Sequence, residues 1–325
     1  MASINLSSKR SEWVSLGLPL GLFIISERAF TVTRGDAASL SERLLAALAS
    51  FILIPLIAYA ANAVFGDKGM TGSGSALGKS LFFLFSILTM ASAFYISART
   101  AHGFSAFAAD VMFLKIPETA VTAIFLIFCA YLSFCGPSVQ GKFAFVSSAF
   151  ILLSAAVLFL MSLPHFSADN AISAVKSMDT PRLEGILAFF AEVFAPTAIA
   201  VVFISAAKGK ARPLGVLFGL IFGCVTVLIC FFNTLLIMGG ELSPLWNHPY
   251  VMAVSTVTAG KLFARMEGLA YMMYFAAAAV KASVCISVTA ILAGKMLPKG
   301  ISRSPVSRLF PVFAAVAVFV ISLVI

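Results

Sequence analysis

Along the chain, long apolar runs alternate with short polar stretches. Nine runs can be read, at about 12–33, 40–64, 79–109, 118–136, 142–163, 184–206, 213–239, 263–292 and 305–325. A helix needs about 20 apolar residues to cross the hydrocarbon core of a bilayer, and most of these runs supply them. Their apolar residues are continuous, whereas the strands of a membrane barrel alternate apolar and polar positions. The pattern therefore predicts an all-α integral membrane protein, one polytopic domain over residues 1–325 with nine spans.

The eighth run stands out. It reads F-A-R-M-E-G-L-A-Y-M-M-Y-F-A-A-A-A-V-K-A-S-V-C-I-S-V from Phe263 to Val288, with Arg265 and Glu267 at one end and Lys281 well inside. Glu267 and Lys281 are fourteen residues apart, which on a helix places them near one face and about 21 Å apart along the axis. A charge turned toward lipid costs about 2.5–3.5 kcal/mol even on the lenient insertion scale. The charged stripe is thus expected to face protein or a water-filled cavity. Two plainer readings stand beside it: Arg265 and Glu267 cap the helix at the interface, and Lys281 snorkels to the membrane surface.

Two runs carry helix-breaking chemistry near their centres. The first contains S-L-G-L-P-L-G, with Pro19 between Gly17 and Gly21. The sixth contains F-F-A-E-V-F-A-P-T over Phe189–Thr197, with Glu192 and Pro196 near its middle. Proline removes a backbone donor and glycine loosens the helix, and such breaks persist at membrane depth only where they are buried or line a cavity. Paired interruptions in spans one and six are how an inverted-repeat transporter builds a central site. They predict broken helices one and six and two repeats, at about 12–163 and 184–325.

Composition and charge narrow the function classes. Hydrophobic residues make up 61% of the chain and charged ones 11%, too apolar a mixture for a soluble domain. The net charge of +9 does not point to nucleic acid, because one side of the alternating topology collects bases against few acids, while the other holds most of the acids mixed with fewer bases. With the N-terminus inside, Lys68, Lys79, Lys142, Lys208, Lys210, Arg212, Lys295, Lys299 and Arg303 all lie inside, while most acids lie outside. The loop G-D-K-G-M-T-G-S-G-S-A-L-G-K ends like a phosphate-binding loop, but Ser73 stands where its first glycine belongs. All five cysteines lie in apolar runs without a C-x-x-C pair and read as small buried hydrophobes. No metal-ligand spacing or catalytic constellation appears, so neither an enzyme nor a metal or cofactor site is expected. Arg99, well inside span three, needs an acid or carbonyls; Glu192, Glu267 and a ligand carboxylate are the candidates.

Several of these stretches resemble a known family. The pattern R-M-E-G-L-A-Y-M-M-Y-F-A-A-A-A-V-K from Arg265 to Lys281 is similar to span eight of the spore germination permeases, the B subunits of germinant receptors. There an Arg-x-Glu pair precedes an apolar run ending in Phe, Val and Lys; Tyr274 and its neighbours stand where Trp is common. K-I-P-E-T (Lys115–Thr119) resembles the family's L-P-E-T-P, with Ala120 replacing the last Pro. R-G-D-A-A (Arg34–Ala38) resembles G-x-D-A-W without its Trp, and Arg99 falls where the family carries an Arg. The likeness runs over most of Gly35–Pro298 and is weak in span one.

The resemblance implies membership of the amino acid–polyamine–organocation transporter superfamily and its five-plus-five inverted-repeat fold. It implies ten spans, of which nine are readable here and the tenth is absent. The expected function is that of a germinant receptor B subunit, binding a small germinant, typically an amino acid, in a midplane pocket. The expected pocket residues are Gly17, Pro19, Gly21, Arg99, Phe190, Glu192, Phe194, Pro196, Glu267 and Tyr271, with Lys281 standing where an ion would bind. The expected partners are the receptor's A and C subunits and the lipid bilayer of the spore inner membrane, with the N-terminus cytoplasmic. An ion-coupled amino-acid transporter is the alternative, and a purely structural membrane subunit a third reading.

Overall fold

The computed structural model describes residues 18–26, 40–65, 76–112, 116–170, 172, 182–208, 213–242, 248–257, 267–296 and 309–323. These residues are 94% helix, with no strand among them. In chain order the elements are α1 (18–26), α2 (Leu40–Phe65), α3 (Ala76–Phe107), α4 (Glu118–Phe134), α5 (Pro137–Ser162), α6 (Leu183–Phe189), α7 (Thr197–Lys208), α8 (Pro213–Leu242), α9 (Pro249–Ser255), α10 (Glu267–Met296) and α11 (Phe310–Ser322). Each of the nine expected runs contains described helix. Five stretches are long and apolar enough to cross a bilayer: Leu45–Phe65, Gly78–Asp110, Pro137–His165, Leu214–Gly239 and Glu267–Met296. Glu118–Phe134, Thr197–Ala206 and Phe310–Ser322 are shorter apolar helices. The chain is a multi-pass helical membrane protein.

The architecture is built around α10. Of its most apolar window 83% is buried, against 28–39% for the four other long spans. It packs against α3, α4, α5, α7, α9 and α11, most extensively against α3. The reason lies in its sequence. In a bilayer, where lipid tails are as apolar as leucine, helices associate through close packing and interhelical polar contacts. The small residues Ala276–Ala279 and Ala282, all buried, let neighbours approach α10 from every side. The outer helices keep one apolar face exposed, as at Ile52, Leu84, Ile127 and Leu153, where lipid replaces protein.

Local chemistry fixes the connections. Span five was expected to start near residue 142, but α5 begins at Pro137, leaving a two-residue turn after α4. Gly136 takes φ +89°, open to glycine, and its N–H bonds the Ser133 carbonyl at 3.1 Å. Pro137 then supplies the first helical position, where its missing N–H costs nothing. The turn is fastened to α10 by a buried polar cluster. Ser133 and Ser287 share a 2.7 Å hydroxyl contact, and Gln140 donates to the Ser283 carbonyl at 3.0 Å and to Ser287 at 2.8 Å.

Before α10, α9 is set against α8 and α10, with Pro249, Tyr250, Val251, Ala253 and Val254 buried. The Tyr250 hydroxyl is turned toward Cys230 and Asn233 of α8.

Candidate functional site

The sixth span is interrupted, and the interruption has a definite form. The α-helical pattern of α6 ends at Phe189 and Phe190–Phe194 form one π-helical turn, in which the Ala195 N–H donates to the Phe190 carbonyl at 3.0 Å. Continuing the turn by one residue would require an N–H from Pro196, which has none. Bonding resumes from Ala198 to the Ala195 carbonyl at 3.0 Å and from Ile199 to that of Pro196 at 3.1 Å. The Thr197 hydroxyl donates back to the Phe194 carbonyl. The break expected in helix six takes the form of a bulge at Phe190–Pro196. Ala195 keeps helical dihedrals of −59° and −40°, so the chain is bulged without being unravelled. Because each π bond closes a wider ring, the turn takes up proline without reversing the chain. The Phe190 and Phe194 rings lie 5.8 Å apart, tilted by 31°, and Phe189 meets Phe194 edge-on at 6.2 Å. The side chain of Glu192 lies outside the described residues.

The start of the sixth span is held by a carboxylate from α2. Glu42, 6% exposed, accepts the Arg182 N–H at 2.9 Å, at the cap of α6. A Cβ on Gly185 would stand 2.5 Å from the Glu42 carboxyl carbon, so only glycine leaves room for this arrangement.

Arg99, half-buried on α3, reaches the interruption. A cavity of about 370 Å³ between α3 and the sixth span is lined by Leu88, Tyr95 and Arg99 on one side and by Ala191, Pro196 and Val202 on the other. The guanidinium also acts electrostatically on the buried Tyr274 phenol of α10. Two of the expected site residues, Arg99 and Pro196, thus share one cavity. Phe190, Phe194, Glu267 and Tyr271 are not among its lining residues.

The other candidates are distributed. Glu267 occupies the first turn of α10, half-buried, where a carboxylate complements the helix dipole. Tyr271 belongs to an aromatic column: it meets Phe107 at 5.6 Å, and Phe107 meets His248 at 4.7 Å and Tyr274 at 4.9 Å. His102 and Glu118, within the family-like stretches, approach to 3.1 Å with Ser105 donating to the same carboxylate oxygen at 3.2 Å, joining α3 to α4.

Span one supplies two findings. Pro19 and Gly21 lie inside the helical segment 18–26, while Gly17 and the rest of the expected break lie outside the described residues. Gly21 serves close packing: a Cβ there would stand 2.6 Å from the Gly219 carbonyl oxygen of α8. Gly215, Gly219 and Gly223 form a G-x-x-x-G-x-x-x-G stripe, the signal in the sequence for this close approach.

Lys281 is fully buried, and its Nζ lies 5.8 Å from the centroid of the Phe23 ring of α1. The snorkelling alternative is excluded, since a snorkelling ammonium must reach the surface. Among the described residues no group of His, Cys, Asp and Glu has the makings of a metal site, and all five cysteines are free. No protein-family model matches the chain, and no curated protein aligns with it significantly.

Proposed function

We propose that the chain is a germinant receptor B subunit, a membrane receptor of transporter descent that binds a small nutrient germinant and signals to partner subunits. The observation that carries this reading is Lys281, a cationic side chain buried at the heart of the central span and set against span one. Ionisable side chains inside a membrane domain are costly and mark ligand or ion pathways. The span-eight resemblance, which ends on this lysine, supports the same assignment.

The fold proposed is the five-plus-five inverted repeat. Exchange of the repeats would relate span one to six, two to seven and three to eight. Two of those pairs are packed together: α3 with α10, and α2 with α8. The bulge and proline of span six fit the half-helix element that such a repeat places beside its ligand. In this scheme an amino-acid germinant lies where spans one, six and eight converge, its carboxylate drawn to Lys281 and its side chain against Phe23 and Phe194. Binding shifts a conformational equilibrium that A and C subunits of the spore inner membrane read.

The same lysine favours one alternative, an ion-coupled amino-acid transporter in which its ammonium occupies a cation's place. The deciding experiment compares spores carrying wild-type and Lys281→Met subunits, at protein levels matched by immunoblot. Methionine fills the space without the charge, and apolar replacement of a buried charge is often neutral for stability. The receptor reading expects a germinant dose-response displaced at least tenfold, with no uptake of labelled amino acid by proteoliposomes. Concentrative uptake would establish the transporter; an unchanged dose-response at normal protein level would overturn both.

A further inference from the structure

Four helix ends meet around a second cavity, of about 450 Å³. Ser133 and Phe134 close α4, Pro137 opens α5, Ile291 belongs to the last two turns of α10, and Pro311 to the first turn of α11. None of the lining residues is charged. Phe134 at its edge is 54% exposed, and the outer faces of α4 and α11 beside it present Tyr131 and Phe313, exposed as well. On a membrane-spanning helix, exposed apolar side chains meet lipid.

The cavity floor holds a hydroxyl hydrogen that the protein does not use. Gln140, itself buried, directs both Nε2 hydrogens away from the cavity's needs, one to the Ser283 carbonyl at 3.0 Å and one to Ser287 Oγ at 2.8 Å. Ser133 and Ser287, both buried, share a single hydrogen across 2.7 Å. Each hydroxyl carries one hydrogen, so whichever serine donates, the other's hydrogen is left over. Among the described residues neither hydroxyl has an acceptor outside this cluster. Both serines line the cavity, which places the spare donor there in either case.

The depth of this floor follows from a charge. Lys142 is exposed on α5, two residues, or about 3 Å, further from the α4–α5 turn than Gln140. An exposed ammonium keeps to the edge of the hydrocarbon. Gln140 and the serines it bonds therefore lie no deeper than a lysine stem's reach below that edge. Lys295, at the end of α10, donates to the Phe65 carbonyl at the end of α2 at 3.3 Å, so these helices finish on the same face. The molecules that surround a bundle at this level are the glycerol esters of lipids, which are uncharged acceptors. A dilute solute loses its translational freedom on binding, whereas a lipid is already confined to the bilayer. A shallow pocket with one donor is thus filled by lipid first.

We propose that this pocket seats the glycerol-ester region of a bilayer phospholipid, with one ester carbonyl accepting the spare serine hydrogen and the start of an acyl chain against Phe134, Ile291 and Pro311. With no charge in the lining, recognition falls on the ester and not on the head group. Ser287 lies six residues, about 9 Å, beyond Lys281, so the lipid takes hold of the central span itself. The site does not depend on what binds at Lys281.

The test uses the full chain in nanodiscs of ether-linked phosphatidylcholine, which has no ester. These are doped with one of two phosphatidylcholine probes, ester-linked or ether-linked, each with a photoreactive diazirine on the first carbons of one chain. After illumination, labelled peptides are mapped by mass spectrometry. The ester probe is expected to label residues 133–137 and 287–291 about fivefold more than the ether probe, the worth of one hydrogen bond. An ester-linked phosphatidylglycerol probe is expected to label them equally well. Ser133→Ala should keep the ester preference, because the Ser287 hydrogen then becomes the spare one. Ser133→Ala combined with Ser287→Ala should abolish it. Ile291→Trp, which fills the pocket, should exclude both probes, with thermal midpoints confirming that the variants fold. The ester–ether comparison on the unaltered chain tests the proposal without any substitution. Equal labelling by the two probes, an ester preference that survives in the double variant, dependence on an anionic head group, or labelling no denser than along the exposed belts of α2 and α8 would each overturn it.

Discussion

Gly21 of α1 and Gly223 of α8 are in backbone contact. A Cβ on Gly223 would stand 2.9 Å from the Gly21 Cα, and one on Gly21 only 2.6 Å from the Gly219 carbonyl oxygen. Span one is seated against span seven by the absence of side chains.

That contact yields the first prediction. Gly21→Ala forces backbone apart from backbone, and overpacking of this kind costs about 1–3 kcal/mol. Its thermal midpoint in detergent should fall. Gly294→Ala, on α10 with nothing within 4 Å of its Cβ, should be neutral or stabilising by up to about 1 kcal/mol. Equal effects of the two substitutions would show that α1 does not depend on this contact.

The carboxylate of Glu42 and the bare backbone of Gly185 give a second prediction, through a double-mutant cycle. Glu42→Ala removes a charge-assisted hydrogen bond to the Arg182 N–H, worth about 1.5–3 kcal/mol. Gly185→Ala should destabilise by itself, because its methyl meets the carboxylate. In the Glu42→Ala background the same change should be harmless or favourable. Additive melting shifts would disprove the coupling.

Pro196 supplies a third. Pro196→Ala restores the N–H that the π turn lacks, and a proline in a helix interior costs about 3 kcal/mol. The variant should unfold at a higher temperature, and amide exchange across 191–199 should slow. If the interruption serves signalling, the germinant response should weaken at the same time. Faster exchange there would mean that proline stabilises the bulge.

Topology furnishes the fourth. Lys208, Lys210 and Arg212 fall in one loop and Asp179 in the loop on the other side of the sixth span. A reporter fused after Lys210 should register as cytoplasmic and one after Asp179 as external. A common side for both would remove the sixth span from the membrane.

The sequence alone was enough for the helical membrane class, the approximate places of the helices and the primacy of the stretch around Lys281. Apolar run length and the cost of a charge in lipid are local quantities, readable residue by residue. The interruption at Pro196 was legible for the same reason, since a missing N–H belongs to one residue. Its form was not. Whether a chain unwinds or closes a π turn depends on what its neighbours can still bond and fill, here the paired rings of Phe190 and Phe194 and the returning Thr197 hydroxyl. The partners were likewise decided in three dimensions. Glu42 reaches Arg182 across 140 residues, and Gln140 reaches Ser283 across 143. No period in a sequence records which two faces will meet. Lys281 shows both sides of this division: its type and place made it a candidate, and only the packing of α1 over α10 turned it inward, where lipid and water are both excluded.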